Sequence, residues 1–224
     1  MPNTALPDIS EYKLRLVVSL VGFFMPVLVA LIAWLHGIAL PSISNSYWAT
    51  DASRNVFVGS LFAISAILFA YQGSKQSSAW ELRVCRMAAV AALGVALFPE
   101  CNLKPCDRAC MLGPCLHGLV HYLSAAVMFA TLAYLCRCFW QRAHLKRGTK
   151  AKRRAQIYLG CMRLIVACML IIVLGAGSGL PEQWGWTSFV YCFETLSLLA
   201  FALAWGTASK TFAPLVEEEE RIRL

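Results

Sequence analysis

The sequence predicts an all-α integral membrane bundle of six transmembrane helices, with both termini in the cytoplasm. The first observation behind this prediction is composition: 59% of the 224 residues are hydrophobic and 14% are charged, whereas soluble domains carry about 25% charged residues. The second is that the apolar residues form long blocks, and the third is that Lys and Arg concentrate between alternate blocks. An ordinary soluble fold is therefore excluded.

Six apolar stretches have about the length that a helix needs to cross the hydrocarbon core, about 20 residues. They are residues 16–38, 54–71, 82–98, 116–139, 157–175 and 187–207. The first contains Pro26, which a membrane helix tolerates as a kink, and the third is rich in alanine, which lets helix backbones approach closely. We expect one transmembrane domain over residues 1–224, with a cysteine-rich outward loop at 99–115 and a cytoplasmic tail at 208–224.

The distribution of basic residues orients the predicted bundle. The segment from Arg137 to Arg154 holds eight Lys and Arg residues and no acidic residue, which is typical of a cytoplasmic connection. With six spans, 17 of the 20 Lys and Arg residues then face the cytoplasm. We therefore expect a multi-pass membrane protein, with membrane lipids as partners and anionic inner-leaflet lipid at the basic segment. Orientation also accounts for the net charge of +8, so we expect no nucleic-acid binding.

Four of the ten cysteines lie together in the predicted outward loop, at Cys101, Cys106, Cys110 and Cys115. In an oxidising compartment such a cluster is expected to form two disulfides, and four cysteines allow three pairings. Zinc is the alternative, because thiolates bind it. The spacing C-x4-C-x3-C-x4-C lacks the paired C-x2-C of zinc ribbons and therefore favours disulfides.

Ionisable residues inside the apolar stretches indicate a candidate site. Glu194 lies about seven residues into the sixth stretch, roughly 10 Å below the predicted outer interface at 1.5 Å per residue, and His121 has a comparable depth in the fourth. Such intramembrane groups are costly and usually functional. We therefore expect Glu194 and His121 to face each other in an outward polar pocket, with Arg54 nearby and with Asp51 and Glu100 just outside. A buried structural pair is the alternative interpretation.

A metal site is another interpretation of the same region. His117 and His121 are four residues apart, so they share one helix face, and two such histidines with a carboxylate suit zinc. Asp51, Glu100 and Glu194 are the candidate carboxylates. The spacing of the two histidines is a weak signal, since the glutamate of an H-E-x-x-H motif is absent between them. Apart from this zinc alternative, we expect no cofactor.

Five phrases follow one another in the chain: SISNSYWATDASRNVFVGSLFAISAILFAYQG, VALFPE, LVHYLSAAVMFATLAYL, KRRAQIYLGC and FETLSLLAFALAWGT. Their order and spacing resemble an uncharacterised bacterial family of six-helix membrane proteins, the domain-of-unknown-function 998 group, which is distantly similar in layout to DRAM-like membrane proteins. The resemblance covers most of the chain. It implies a location in the bacterial inner membrane, and it implies no reaction. It does imply that Tyr47, Arg54, Asn55, His121 and Glu194 match the polar signature of the family. The cysteine-rich loop is not part of that pattern.

These observations favour a non-catalytic or sensing membrane protein with an outward pocket for a lipid or a small amphipathic ligand. A metal-dependent lipid hydrolase at the outer leaflet is the first alternative, and it requires a bound metal. A small proton-coupled transporter that uses Glu194 is the second. It is disfavoured because few polar groups, mainly Ser65 and Thr131, continue towards the cytoplasmic half. The sequence leaves open whether the protein is an enzyme.

Overall fold

The computed structural model describes residues 11–71, 79–100 and 113–216 of the chain. Within these ranges the regular structure is helical and contains no β-strand, as predicted. Six of the helices there have 19 residues or more. In chain order the helices are α1 (Glu11–Leu35), α2 (Ser46–Ala49), α3 (Asp51–Ala70), α4 (Ala79–Leu97), α5 (Gly113–His144), α6 (Thr149–Ser178), α7 (Leu180–Gln183) and α8 (Phe189–Ala208).

Five of the long helices in the described ranges are long and apolar enough to cross a membrane, namely α1, α3, α5, α6 and α8. This finding indicates a multi-pass membrane protein. The exception is α4, which carries Glu81, Arg83 and Arg86 near its start. After Arg86 this helix consists of Met, Ala, Val, Leu and Gly, so its charges lie at one end of the bundle.

The long helices form a ring in which each helix packs against two neighbours. α1 packs against α3, α3 against α4, α4 against α5, α5 against α6 and α6 against α8, and α8 closes the ring against α1. Apolar side chains such as Val29 and Leu61 are buried inside, whereas Phe24, Leu31 and Val173 are among many large apolar side chains exposed outside. An exterior this rich in exposed large apolar side chains fits hydrocarbon better than water.

Local capping moves the helix ends a few residues from the predicted boundaries. α3 begins at Asp51 because Thr50 and Ser53 form a capping box. The Thr50 hydroxyl accepts a hydrogen bond from the Ser53 amide at 3.0 Å, and the Ser53 hydroxyl accepts one from the Thr50 amide at 3.1 Å. α6 ends where Gly179 adopts a left-handed backbone conformation with φ of 65°, which glycine adopts without a steric penalty.

The basic segment between the fourth and fifth predicted spans is mostly helical. α5 continues to His144 and α6 begins at Thr149, so the connection between them is residues 145–148. The segment is rich in Lys and Arg, which are good helix formers. The basic residues therefore lie around the turn of a helical hairpin, at the end of α5 and the start of α6. We term this the basic end of the bundle.

The basic end holds charged groups that are buried in pairs. Arg142 pairs with the buried carboxylate of Glu81 at 2.7 Å, which joins α5 to α4. Arg15 is buried, pairs with Glu11 at 2.9 Å, and donates to the carbonyl of Ala208 at 3.0 Å. A buried charge is costly unless it is paired and hydrogen-bonded. These contacts therefore tie α4 to α5, and α1 to α8, at this end.

A close approach of α4 and α5 at Gly94 provides a test of the packing. A Cβ atom added to Gly94 would lie 2.9 Å from the Cβ of Ser124, a distance that forces the two helices apart. We expect Gly94→Ala to lower the melting temperature of the protein in detergent, through overpacking of about 1–3 kcal/mol. The matched control is Gly160→Ala in α6, where an added Cβ meets nothing within 4 Å. This control should leave stability unchanged or raise it by up to about 1 kcal/mol.

An equal effect of the two substitutions on the melting temperature, measured by differential scanning fluorimetry, would contradict the packing of α4 on α5 described above.

Candidate functional site

A cavity of about 670 Å³ lies between α5 and α6. Its walls are formed by residues 121–133 of α5 and 165–176 of α6, and Val190 and Glu194 of α8 contribute to the lining. Twelve residue steps along α5 correspond to a length of about 18 Å at 1.5 Å per residue. The cavity is therefore elongated along the helix axes.

The walls of the cavity are apolar and open to the side. The lining side chains of α6 include Ile165, Met169 and Ile172, and small Ala side chains dominate on α5. Two lining residues of α6 are strongly exposed, Leu170 by 57% and Val173 by 69%. Because these side chains border the cavity and also face the apolar exterior, the cavity opens laterally between the two helices.

The polar lining groups lie together at one end of the cavity, which we term the cavity end of the bundle. His121 is near the start of α5 and Glu194 is near the start of α8, opposite to the basic end. The segment between α1 and α2 and the residues that follow α4 meet them there. The polar residues that line this end are Ser42, Ser44, Glu100, His121, Tyr122 and Glu194.

Glu194 anchors the segment that follows α1. Its Oε2 atom accepts a hydrogen bond from the backbone amide of Ile43 at 2.7 Å. One turn earlier in α8, the amide of Tyr191 donates to the carbonyl of Pro41 at 2.8 Å. A partly buried carboxylate needs such donors to offset the loss of water. The two bonds dock residues 41–43 on the first turns of α8.

His121 is buried and contacts two different segments. Its Nδ1 atom lies 2.7 Å from the carbonyl oxygen of Phe98, and its Nε2 atom lies 2.9 Å from the hydroxyl of Ser44. A backbone carbonyl can only accept, so Nδ1 carries a proton. In the neutral imidazole Nε2 is then an acceptor, and the Ser44 hydroxyl donates to it.

Glu100 accepts three further hydrogen bonds at the cavity end. One carboxylate oxygen accepts from the Ser42 hydroxyl at 2.7 Å and the other from the Tyr122 hydroxyl at 3.3 Å. The carbonyl oxygen of Glu100 accepts from the indole of Trp48 at 2.9 Å. Glu100 thus connects the end of α4 with α2, α5 and the segment after α1.

The structure brings Glu194 and His121 into one cavity but separates Arg54 from them. Arg54 pairs with Asp51 at 3.0 Å, donates to the carbonyl of Tyr47 at 2.8 Å, and lies 4.9 Å from the centre of the Tyr47 ring. Asn55 is exposed on α3. Tyr47, Asp51, Arg54 and Asn55 are absent from the cavity lining and instead surround the start of α3.

The metal alternative finds little support among the described residues. His117 is exposed on α5, with its ring centre 5.7 Å from that of Phe98. Across residues 11–71, 79–100 and 113–216, no group of three or more His, Cys, Asp or Glu side chains is arranged to hold a metal ion. The zinc alternative therefore stays a prediction.

The cysteine cluster lies largely outside the described ranges. This applies to Cys101, Cys106 and Cys110, and Cys115 lies in α5 without a described side chain. The two predicted disulfides therefore stay a prediction. The six cysteines whose side chains are described are free thiols, and five of them are buried among the helices.

Sequence reasoning missed Ser42, Ser44 and Tyr122 as parts of the site. Ser44 and His121 are separated by 77 positions in the chain, and a serine in a connecting segment carries no periodic or motif signal. Glu100 was expected just outside the pocket and as a candidate metal ligand. The signal for these residues is their contact with His121, Glu100 and the cavity, which depends on how the helices pack.

Comparisons with known proteins add no relative: no protein-family model matches the chain, and neither a curated protein nor a solved structure does. The resemblance to the domain-of-unknown-function 998 group therefore stays a prediction. The features of this protein that bear on its function are therefore the cavity and the groups that line it.

Proposed function

We propose that this protein binds an amphipathic lipid or lipid-like molecule in the cavity between α5 and α6. The polar head lies at the cavity end, among Ser44, Glu100, His121 and Glu194, and the apolar chain lies along the two helices. The observation that supports this proposal is the segregation of the lining: its hydrogen-bonding and ionisable side chains collect at one end, and the rest is apolar.

The dimensions of the cavity suit such a ligand. Small-molecule sites typically have volumes of about 300–1,000 Å³, and this cavity has about 670 Å³. Its length of about 18 Å is close to half of the hydrocarbon core, about 15 Å. The lateral opening between α5 and α6 gives a lipid a route from the bilayer that keeps its chain out of water.

Filling the apolar part of the cavity tests the proposal without changing its polar end. Ala130 lines the cavity on α5, so Ala130→Trp should exclude the ligand chain. A loss of 1.4 kcal/mol of binding free energy lowers the affinity for the ligand about tenfold. Overpacking of a protein core costs a similar amount. Retention of co-purified lipid, measured by native mass spectrometry from mild detergent, should fall accordingly.

The matched control for that experiment is Leu123→Trp, because Leu123 is 58% exposed on α5 and is absent from the cavity lining. It should retain lipid as the unchanged protein does. Equal lipid retention by both variants at equal melting temperature would contradict binding in this cavity.

We further propose that α4 is the sixth span and that both termini are cytoplasmic. The charges of α4 lie near its start, at the basic end, where Glu81 pairs with Arg142. Placing the basic end inside puts 17 of the 20 Lys and Arg residues on the cytoplasmic side, as the positive-inside rule requires. The cavity end then faces the extracytoplasmic side, and the bound ligand belongs to the outer leaflet.

Reporter fusions test this orientation. Fusions of a cytoplasm-active reporter at Lys146 and at Leu224 should be active, and a fusion at Asp107 should be inactive, because the basic segment stays inside. A periplasm-active reporter should give the opposite pattern at the same three positions. Activity of the periplasmic reporter at Lys146 would overturn the orientation, and with it the assignment of the ligand to the outer leaflet.

Anionic lipid is the partner that we propose for the basic end. A small cavity of about 80 Å³ there is lined, beside Glu11, by cationic side chains from α1, α5, α6, the connection between α5 and α6, and one residue that follows α8. These are Arg15, Arg142, Lys146, Arg154 and Lys210. On α6, Lys152 and Arg153 are exposed next to the buried Arg154. Each basic residue near an anionic surface adds about 1 kcal/mol of attraction.

Neutralising the two exposed charges tests this partner while leaving the buried pairs intact. Lys152→Gln with Arg153→Gln should remove about 2 kcal/mol of attraction and so reduce retention of anionic over zwitterionic lipid in native mass spectrometry. The control is Arg54→Gln, which removes a partly exposed charge at the opposite end. An unchanged ratio of anionic to zwitterionic lipid in the double variant would contradict the proposal.

A further inference from the structure

We propose that Ser44 and His121 form a nucleophile and base pair that hydrolyses an acyl ester held in the cavity. This inference rests on the proposed function, because the cavity must first bind a ligand with an acyl chain. The substrate class is a carboxylic ester of a lipid, and the proposed reaction needs no metal.

The geometry of the pair is that of an activated serine. The Ser44 hydroxyl oxygen lies 2.9 Å from Nε2 of His121, and Nδ1 of the same ring lies 2.7 Å from the Phe98 carbonyl oxygen. The carbonyl holds the proton on Nδ1, so Nε2 presents its lone pair to the serine hydroxyl. A nucleophile, a base and a group that orients the base are the three parts of nucleophilic catalysis by serine.

The pair is also placed where an ester would lie. Ser44 and His121 both line the cavity and are otherwise buried, with exposures of 7% and 2%. The next lining residues along α5 are Tyr122 and then the apolar wall from Ala125 onward. The ester of a lipid lies between its polar head and its apolar chain, so a bound lipid presents its carbonyl carbon near this boundary.

Ser42 donates to the Glu100 carboxylate at 2.7 Å, and two other nearby serines bond to the local backbone. Ser46 donates to the carbonyl of Ile43 at 2.6 Å, and Ser53 donates to the carbonyl of Ser46 at 2.7 Å. Both are absent from the cavity lining, and both bonds serve the local backbone. Ser44 instead faces an imidazole nitrogen across the fold. Glu194, through its bond to Ile43, is a positioning residue for this arrangement.

In the first half of the reaction, Ser44 Oγ forms a bond to the ester carbonyl carbon while its proton passes to Nε2 of His121. The carbon–oxygen bond to the alcohol then breaks, and His121 gives the proton to the departing alcohol oxygen. This leaves an acyl group on Ser44 and a neutral imidazole. In the second half, His121 takes a proton from water, the hydroxide oxygen bonds to the acyl carbon, and the carboxylic acid departs as Ser44 Oγ recovers the proton.

Covalent labelling of the purified full-length protein tests the proposal. A fluorophosphonate that carries a long alkyl chain reacts with activated serines, and its site is located by peptide mass spectrometry. We expect labelling of Ser44 in the unchanged protein and, in parallel, hydrolysis of a p-nitrophenyl ester of a medium-length fatty acid. His121→Gln should slow both reactions at least about 100-fold, because a general base contributes 10²–10⁴-fold. Ser44→Ala should abolish both.

The control is Ser46→Ala, which removes a buried serine of the same segment and should leave labelling and hydrolysis at the unchanged rate. The labelling test on the unchanged protein does not depend on the folding of any variant. Absence of a label on Ser44 in that protein therefore overturns the hydrolase inference directly. Labelling of Ser44 that is equally fast in a folded His121→Gln variant also overturns it.

Native mass spectrometry on the same samples separates this inference from the proposed function. Lipid retained by a protein whose Ser44 stays unlabelled leaves the binding proposal intact and rejects the hydrolase. Labelled Ser44 in the unchanged protein, together with no lipid retained by the folded and unlabelled Ser44→Ala variant, rejects the binding proposal and supports Ser44 as the nucleophile. Lipid retention by Ser44→Ala together with loss of labelling supports both.

Discussion

The hydrogen bond from the Ile43 amide to the Glu194 carboxylate organises the cavity end of this bundle. A carboxylate removed from water needs donors, and a backbone amide that enters the bundle needs an acceptor. Each group therefore satisfies the other. The bond holds the segment after α1 against α8, and this places Ser44 beside His121 on α5. The cavity between α5 and α6 receives its polar end from the same arrangement, because Ser42, Ser44 and Glu194 all reach its lining from there.

Charged side chains that are removed from water are stabilised by different partners at the two ends of the ring. At the basic end, charges are matched by charges: Arg142 with Glu81, and Arg15 with Glu11. At the cavity end, the carboxylates are matched by neutral donors, namely the Ile43 amide for Glu194 and the hydroxyls of Ser42 and Tyr122 for Glu100. The Arg142–Glu81 pair joins α5 to α4, whereas the neutral network leaves hydroxyls and an imidazole facing an accessible space. That difference is why the candidate chemistry lies at the cavity end.

Much of the architecture was predictable because the bilayer permits few solutions. Backbone groups in hydrocarbon must pair within a helix, so long apolar blocks indicate helices, and five of the long helices meet the length and composition of a membrane span. Glu194 and His121 lie at comparable depths in their apolar stretches, and this also predicted that both lie at the same end of the bundle. Arg54, which was expected nearby, is absent from the cavity lining and pairs locally with Asp51, three positions earlier on the same helix. The basic segment was predictable in charge but not in shape, since α5 and α6 extend into it.

By itself the sequence determined the helical class, the apolar exterior, the asymmetry of charge between the two ends and the presence of two ionisable groups inside apolar helices. These are properties of composition and of helical rise, and both are local along the chain. Only the tertiary structure decided which groups touch. Ser44 meets His121 across 77 positions, and Phe98 meets the same ring across 23. Such contacts depend on how α4, α5 and α8 close the ring around the segment after α1. A hydroxyl, an imidazole and a backbone carbonyl have no signature in sequence until packing brings them within hydrogen-bonding distance.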